Sequence, residues 1–258
     1  MSLDLFDIEG KVVLITGGAR GIGYMLAERF VEAGAKVYIS SRNRESCESA
    51  ASELSRSGDC IALAADLSKV SEIERLVSEF ESRQKFLNVL VNNSGTTWGD
   101  TLENFPEVGW DKVLSLNLKA PFFMIQKFLP LLESGAESTD PARIINIGSV
   151  DGLHTSIFDN ISYSASKAGL HHMTKIIASK LAPRHLTVNT IAPGPFLTDM
   201  MQPMIDMMGM DAIESNVPLG RIGQSSDIGG VAVFLASKAS AYITGVLLPV
   251  DGGLTSAK

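Results

Sequence analysis

The chain has 258 residues, 45% of them hydrophobic and 20% charged, which is ordinary globular usage and excludes a disordered or fibrous protein. Its formal net charge of −7 argues against nucleic acid or an anionic membrane surface as the main partner and favours a small or neutral ligand. Two cysteines, Cys47 and Cys60, and four histidines stand in no metal-ligand spacing, so free thiols, no metal site and a reducing, cytoplasmic setting are expected. Neither a targeting leader nor an apolar run long enough to span a membrane is expected.

From the N-terminus onward, short apolar runs alternate with amphipathic stretches. VVLIT (12–16) predicts a strand, followed by a helix from about Gly21 to Ala33. KVYIS (36–40) predicts a second, followed by a helix from about Arg44 to Ser57. Further strands are expected at CIALAA (60–65), NVLVNN (88–93), RIINIG (143–148), TVNTIA (187–192) and GVLLPV (245–250), with long helices at about 106–133 and 163–181. Seven strands, apolar on both faces and mostly separated by helix-length segments, predict one α/β domain over residues 1–258. It is Rossmann-like and doubly wound, a seven-stranded parallel sheet with helices on both faces.

Two segments interrupt the rhythm. SGAESTDPA (134–142) is small and polar and reads as a surface loop. MMQPMIDMMGM (200–210) holds six of the ten methionines and lies in the long connection after the sixth strand, about 193–216. Unbranched apolar side chains suit either a subunit contact or a lid over an oily ligand. RIGQSSDI (221–228) starts a helix, with Ser225 or Ser226 expected to cap it.

After the first strand comes TGGARGIG, with Gly17, Gly21 and Gly23 at a strand-to-helix turn and Ile22 inside it. Glycines there let backbone N–H groups approach a pyrophosphate at the helix N-terminus, which points to a dinucleotide. The second strand ends in Ser40, Ser41 and Arg42, where a carboxylate would grip an unmodified ribose. With no acid present, Arg42, helped by Arg20, suits a 2′-phosphate, so the expected cofactor is NADPH/NADP rather than NAD.

In ISYSASKAGLHH (161–172), Tyr163 and Lys167 stand four apart with only small residues between, which stacks them on one helix face open to a close neighbour. A phenol with a pKa near 10 is a sluggish acid at pH 7, and an ammonium one turn away is expected to lower it. His171 and His172, being adjacent, point to different sides of the same helix.

The glycine spacing G-x-x-x-G-x-G, together with NNSG (92–95) and YSASK (163–167), resembles the short-chain dehydrogenases/reductases over essentially the whole chain. The resemblance implies Asn117, Ser149, Tyr163 and Lys167 as a catalytic tetrad. Ser149 would hold a carbonyl oxygen beside the phenol, Lys167 would reach the nicotinamide ribose, and Asn117 would position a water that resupplies protons to Lys167. It further implies Asp66 and Leu67 at the adenine, Asn93 and Gly95 in the fourth-strand motif, and Pro193, Gly194 and Thr198 in the segment APGPFLT (192–198) that holds the nicotinamide. NNSGTTWG, DPARIINIGSVDG and SASKAGLHHM are similar to the β-ketoacyl reductases of the family. That implies reduction of a 3-oxoacyl thioester carried on acyl carrier protein or coenzyme A, in a homotetramer. A reductase of sugar acids, polyols or other small ketones, and a non-catalytic NADP-binding regulator, are the alternatives.

Overall fold

In a computed structural model that describes residues 4–257, seven strands form one all-parallel sheet in the order β3-β2-β1-β4-β5-β6-β7. They are β1 Val12–Thr16, β2 Lys36–Ser41, β3 Cys60–Ala64, β4 Val89–Asn92, β5 Ala142–Ile147, β6 Leu186–Pro193 and β7 Leu247–Val250. Each expected strand is present, with ends shifted by at most two residues. GVLLPV is trimmed to Leu247–Val250: Gly245 turns at φ +74°, although its N–H already donates to the Val188 carbonyl of β6 at 2.8 Å.

Alternation along the strands sends side chains to two cores. Val13 and Ile15 of β1 pack with α1 (Gly21–Glu32), α2 (Arg44–Leu54) and α9 (Ser225–Ala236) through Leu26, Phe30, Cys47, Leu54 and Leu235. Val12 and Leu14 point the other way, to α3 (Val70–Glu81), α5 (Ala120–Ser134) and α6 (Ile161–Leu181), against Ile73, Phe80, Met124 and Phe128. Strands buried on both faces by helices account for the near-continuous apolar runs. Cys47 and Cys60 are both buried and free, and burial raises both thiols, that of Cys60 to about 12.

Two local expectations need correction, and the methionine-rich connection takes a definite form. The helix expected over 106–133 is α4 (Glu107–Leu114), then a π-helical turn at Ser115–Lys119, then α5. The methionine-rich connection is itself helical, α7 (Gln202–Met208) and α8 (Met210–Ser215), broken at Gly209 with φ +78°. The cap of α9 is Gln224, not Ser225 or Ser226. The Gln224 N–H donates to Asp227 Oδ2 at 2.8 Å, while the Ser225 hydroxyl donates across to Glu28 on α1 at 2.7 Å.

Candidate active site

Strand order reverses between β1 and β4, which leaves a crevice above the C-terminal ends of the central strands. In the β1–α1 turn, Gly17 and Gly21 take φ of +67° and +54°, a region L side chains avoid. Gly23 is needed for space: a Cβ there would lie 2.1 Å from the Gly17 carbonyl oxygen and 2.4 Å from Asn93 Nδ2. Asn93 Nδ2 donates to the carbonyls of Thr16 and Gly17 at 2.9 and 3.2 Å. Thr16 Oγ1 accepts the N–H groups of Asn93 and Ser94, both at 2.9 Å. Thr16 thus ties the glycine turn to the loop after β4. Sequence reasoning does not single it out, although one hydroxyl ending an apolar strand is a legible signal.

Gly95 separates Asn117 from Lys167: a Cβ on it would stand 3.4 Å from Asn117 Oδ1 and 3.8 Å from Lys167 Nζ. Ile22 packs half-buried against the first core, and Leu67 is buried in the second, so these side chains anchor their turns. Asp66 feels burial, but the Ser68 hydroxyl and amide, with Lys69 and Arg42 beyond, hold its carboxyl below the usual range. Arg20 lies at the start of α1 with its side chain exposed. Its Nη1 pairs with Asp199 Oδ2 at 2.8 Å, reaching the segment after β6. With side chains 81% and 78% exposed, that pair is weak. Pro193 ends β6, and Gly194 lies so close to β7 that a Cβ would sit 2.8 Å from Asp251 Cα. Thr198 rests against Gly21, its Cγ2 3.3 Å from where a Cβ would be. A cradle that Cβ atoms would fill, a helix N-terminus behind it, and β2 ending at Ser41 with Arg42 exposed beyond it fit a dinucleotide bearing a 2′-phosphate.

The four residues of the expected tetrad converge at the ends of β4 and β5. The π-helical turn carries Asn117 inward, where Oδ1 accepts the Thr96 N–H and Nδ2 donates to the Thr96 carbonyl, both at 2.9 Å, and to Ser166 Oγ at 3.1 Å. Its amide therefore braces the loop after β4. Tyr163 and Lys167 share one face of α6, with Nζ 5.5 Å from the phenol ring centroid. Nζ also donates to the Ile147 carbonyl at the end of β5, at 2.7 Å.

Burial dominates the electrostatics. It pushes the Tyr163 phenol up to about 12, against the Ser149 hydroxyl, which pulls it down, and with the Asp151 charge adding to the rise. The net shift is upward, opposite in direction to the expected lowering, because the cost of taking a phenolate out of water is its largest cause. Burial also brings Lys167 down to about 8. At neutral pH the phenol keeps its proton, the state a donor to a carbonyl oxygen requires. His171 is buried and His172 exposed, as adjacency on a helix dictates.

Trp98 packs its ring on Gly109 of α4, where a Cβ would come within 2.7 Å, and Lys112 Nζ lies 5.3 Å from the ring centroid. Of the clustered methionines only Met201 is buried. Met200 and Met207 are exposed, and Met204, Met208 and Met210 are half-buried.

A doubly wound parallel sheet with a glycine cradle at its switch point, and a Ser–Tyr–Lys cluster beside it, is the framework of a dinucleotide-dependent oxidoreductase. A family model described as enoyl-(acyl carrier protein) reductase matches residues 17–255. The rhamnolipids biosynthesis 3-oxoacyl-[acyl-carrier-protein] reductase of Pseudomonas aeruginosa is 42% identical over 249 residues, covering 96% of this chain and 97% of that one. The solved RhlG/NADP active-site complex from Pseudomonas aeruginosa superposes with a TM-score of 0.95 at 41% identity, covering 98% of this chain and all of the other. A gluconate 5-dehydrogenase from Burkholderia cenocepacia, solved with NADP and tartrate, superposes with a TM-score of 0.92 at 32% identity, with full coverage of both chains. The chain belongs to the short-chain dehydrogenase/reductase family.

Proposed function

We propose that this enzyme reduces the 3-oxo group of 3-oxoacyl thioesters to a 3-hydroxy group, with NADPH as hydride donor. The observation that carries the reading is the pairing of a protonated phenol and a serine hydroxyl beside an apolar rim. Ser149 and Tyr163 offer two O–H donors to one carbonyl oxygen, and Tyr163 gives up its proton as the ketone carbon is reduced. Lys167, charged below a pH of about 8, stabilises the phenolate left behind. Around the site, the connections after β5 and β6 expose Leu153, Ile157, Leu197, Met200 and Met207, which suit an acyl chain. A sugar acid would need several hydrogen-bonding partners there, and the Asp151 carboxylate, held by Asn160 Nδ2 at 2.8 Å, opposes an anionic substrate.

In this reading residues 1–258 work as one reductase domain in the cytoplasm. Residues 193–216 form a lid, Arg42 meets the 2′-phosphate, Asp66 lies at the adenine, and Asn93, Gly95 and Gly194 shape the cleft. Exposed Val108, Trp110, Phe122 and Ile176 on α4, α5 and α6 support a homotetramer, which light scattering at micromolar concentration tests. The function test is a substrate panel with NADPH held constant. It compares 3-oxoacyl thioesters of several lengths, on acyl carrier protein and on coenzyme A, with a 2-enoyl thioester, 5-ketogluconate, polyol-derived ketones and cyclic ketones. Reduction of the 3-oxoacyl thioesters in preference to the rest is expected. Turnover of 5-ketogluconate alone would overturn the substrate, and no turnover of any of them would overturn the enzyme.

A further inference from the structure

Ser149 lies close to two glycines, Gly148 and Gly152, and the His171 ring is the nearest group to a Cβ built on either, with Thr190 Cγ2 and the α6 backbone at Lys167–Ala168 also within 3 Å. His171 on α6 lies beneath the loop. A Cβ at Gly148 would stand 2.2 Å from His171 Nε2, and one at Gly152 would stand 2.6 Å from Cε1. His171 is 6% exposed, and its Nε2 accepts the Ser149 backbone N–H at 3.4 Å. The other backbone bond of Ser149 is local to its loop, its carbonyl accepting the Gly152 N–H at 3.1 Å; its Oγ accepts the Asp151 N–H at 3.1 Å and meets the Tyr163 phenol. The His171 bond comes from α6, the helix that carries Lys167 one turn and Tyr163 two turns earlier.

We propose that His171 is a positioning residue, fixing the spacing between the Ser149 hydroxyl and the Tyr163 phenol by holding the serine's backbone from the helix that bears the phenol. The bond requires a neutral ring with its proton on Nδ1, since Nε2 accepts. Burial, with Lys167 one turn away, pushes His171 down to about 4, so the ring is neutral at working pH. That Nδ1 is buried with no hydrogen-bond partner, a cost of a kind tolerated where a residue is kept for something other than stability. Misplacing a reacting group by about 1 Å costs on the order of 10²-fold in rate.

The inference rests on the reading of Ser149 as a carbonyl-oxygen donor, so S149A is measured beside H171L, which removes the acceptor, and H171Q, which keeps one at similar reach. Each is assayed for kcat and KM with the 3-oxoacyl coenzyme A thioester the wild type reduces fastest, for NADPH affinity by fluorescence, and for melting temperature. H171L is expected to lose 10- to 100-fold in kcat with NADPH affinity within twofold of wild type, and H171Q to return to within threefold. Turnover of H171L within threefold of wild type, or H171Q as impaired as H171L, would overturn the proposal. So would parallel loss of cofactor binding and turnover in both. If H171L does not fold, H171M replaces it as the variant lacking a good acceptor, with the same outcomes. Full activity in S149A would remove the reading beneath the proposal. If the wild type reduces a different ketone, that ketone serves for the whole series.

Discussion

Gly23 offers the sharpest test of the cofactor cradle. In Gly23→Ala the new methyl would stand 2.1 Å from the Gly17 oxygen, 2.8 Å from the Gly17 carbonyl carbon and 2.4 Å from Asn93 Nδ2. None of these is the free end of a flexible side chain. The Gly17 N–H is bonded to the Ser40 carbonyl at 2.7 Å, and Asn93 is bonded to the carbonyls of Thr16 and Gly17. Reaching ordinary contact moves the Gly17 peptide by about 1 Å, and overpacking of this kind costs about 1–3 kcal/mol. At this chain length that is a fall in melting temperature of about 2–12 °C. Because the displaced peptide belongs to the phosphate turn, NADPH affinity should fall at least tenfold, about 1.4 kcal/mol. Gly230 in α9 is the control, since a Cβ there meets nothing within 4 Å, and Gly230→Ala should stabilise by up to about 1 kcal/mol with NADPH binding unchanged. Differential scanning fluorimetry and NADPH fluorescence titration read both effects. A Gly23→Ala protein with wild-type melting temperature and affinity would refute the cradle geometry.

Further outcomes are expected at other positions. Tyr163→Phe removes only the hydroxyl, so NADPH should bind as before while turnover falls by about 10²–10⁴; near-normal steady-state rates would assign the acid elsewhere. Arg42→Ala should erase an NADPH-over-NADH preference of at least tenfold, about 1.4 kcal/mol, with paired binding titrations showing whether the preference survives. His171 has a pKa of about 4 when folded and an ordinary value of 6.5, so the unfolded chain binds more protons between those values and stability is lost as pH falls through that window. Urea unfolding at pH 7 and pH 5 should show wild type losing about 2 kcal/mol more than H171Q, and equal losses would contradict a neutral buried ring.

The sequence by itself determined the fold class, because strand and helix periodicities are local and seven apolar runs at helix-length spacing leave few topologies. It also determined the glycine turn, the absence of an acid at Ser41–Arg42, and the Tyr163–Lys167 stack, since each depends on residues within one turn or one strand end. Tertiary structure decided what depends on distant partners. The π-helical turn at Asn117 answers to Thr96, the Arg20 guanidinium to Asp199 rather than to its own turn, and the Ser225 hydroxyl to Glu28, which leaves Gln224 to cap α9. Thr16 became a junction only when β1 lay beside β4, and His171 met Ser149 only when α6 packed against the end of β5. The direction of the Tyr163 shift was decided the same way. A neighbouring lysine is visible in sequence, but desolvation is a property of everything packed around the phenol, and it exists only once the chain has closed over the site.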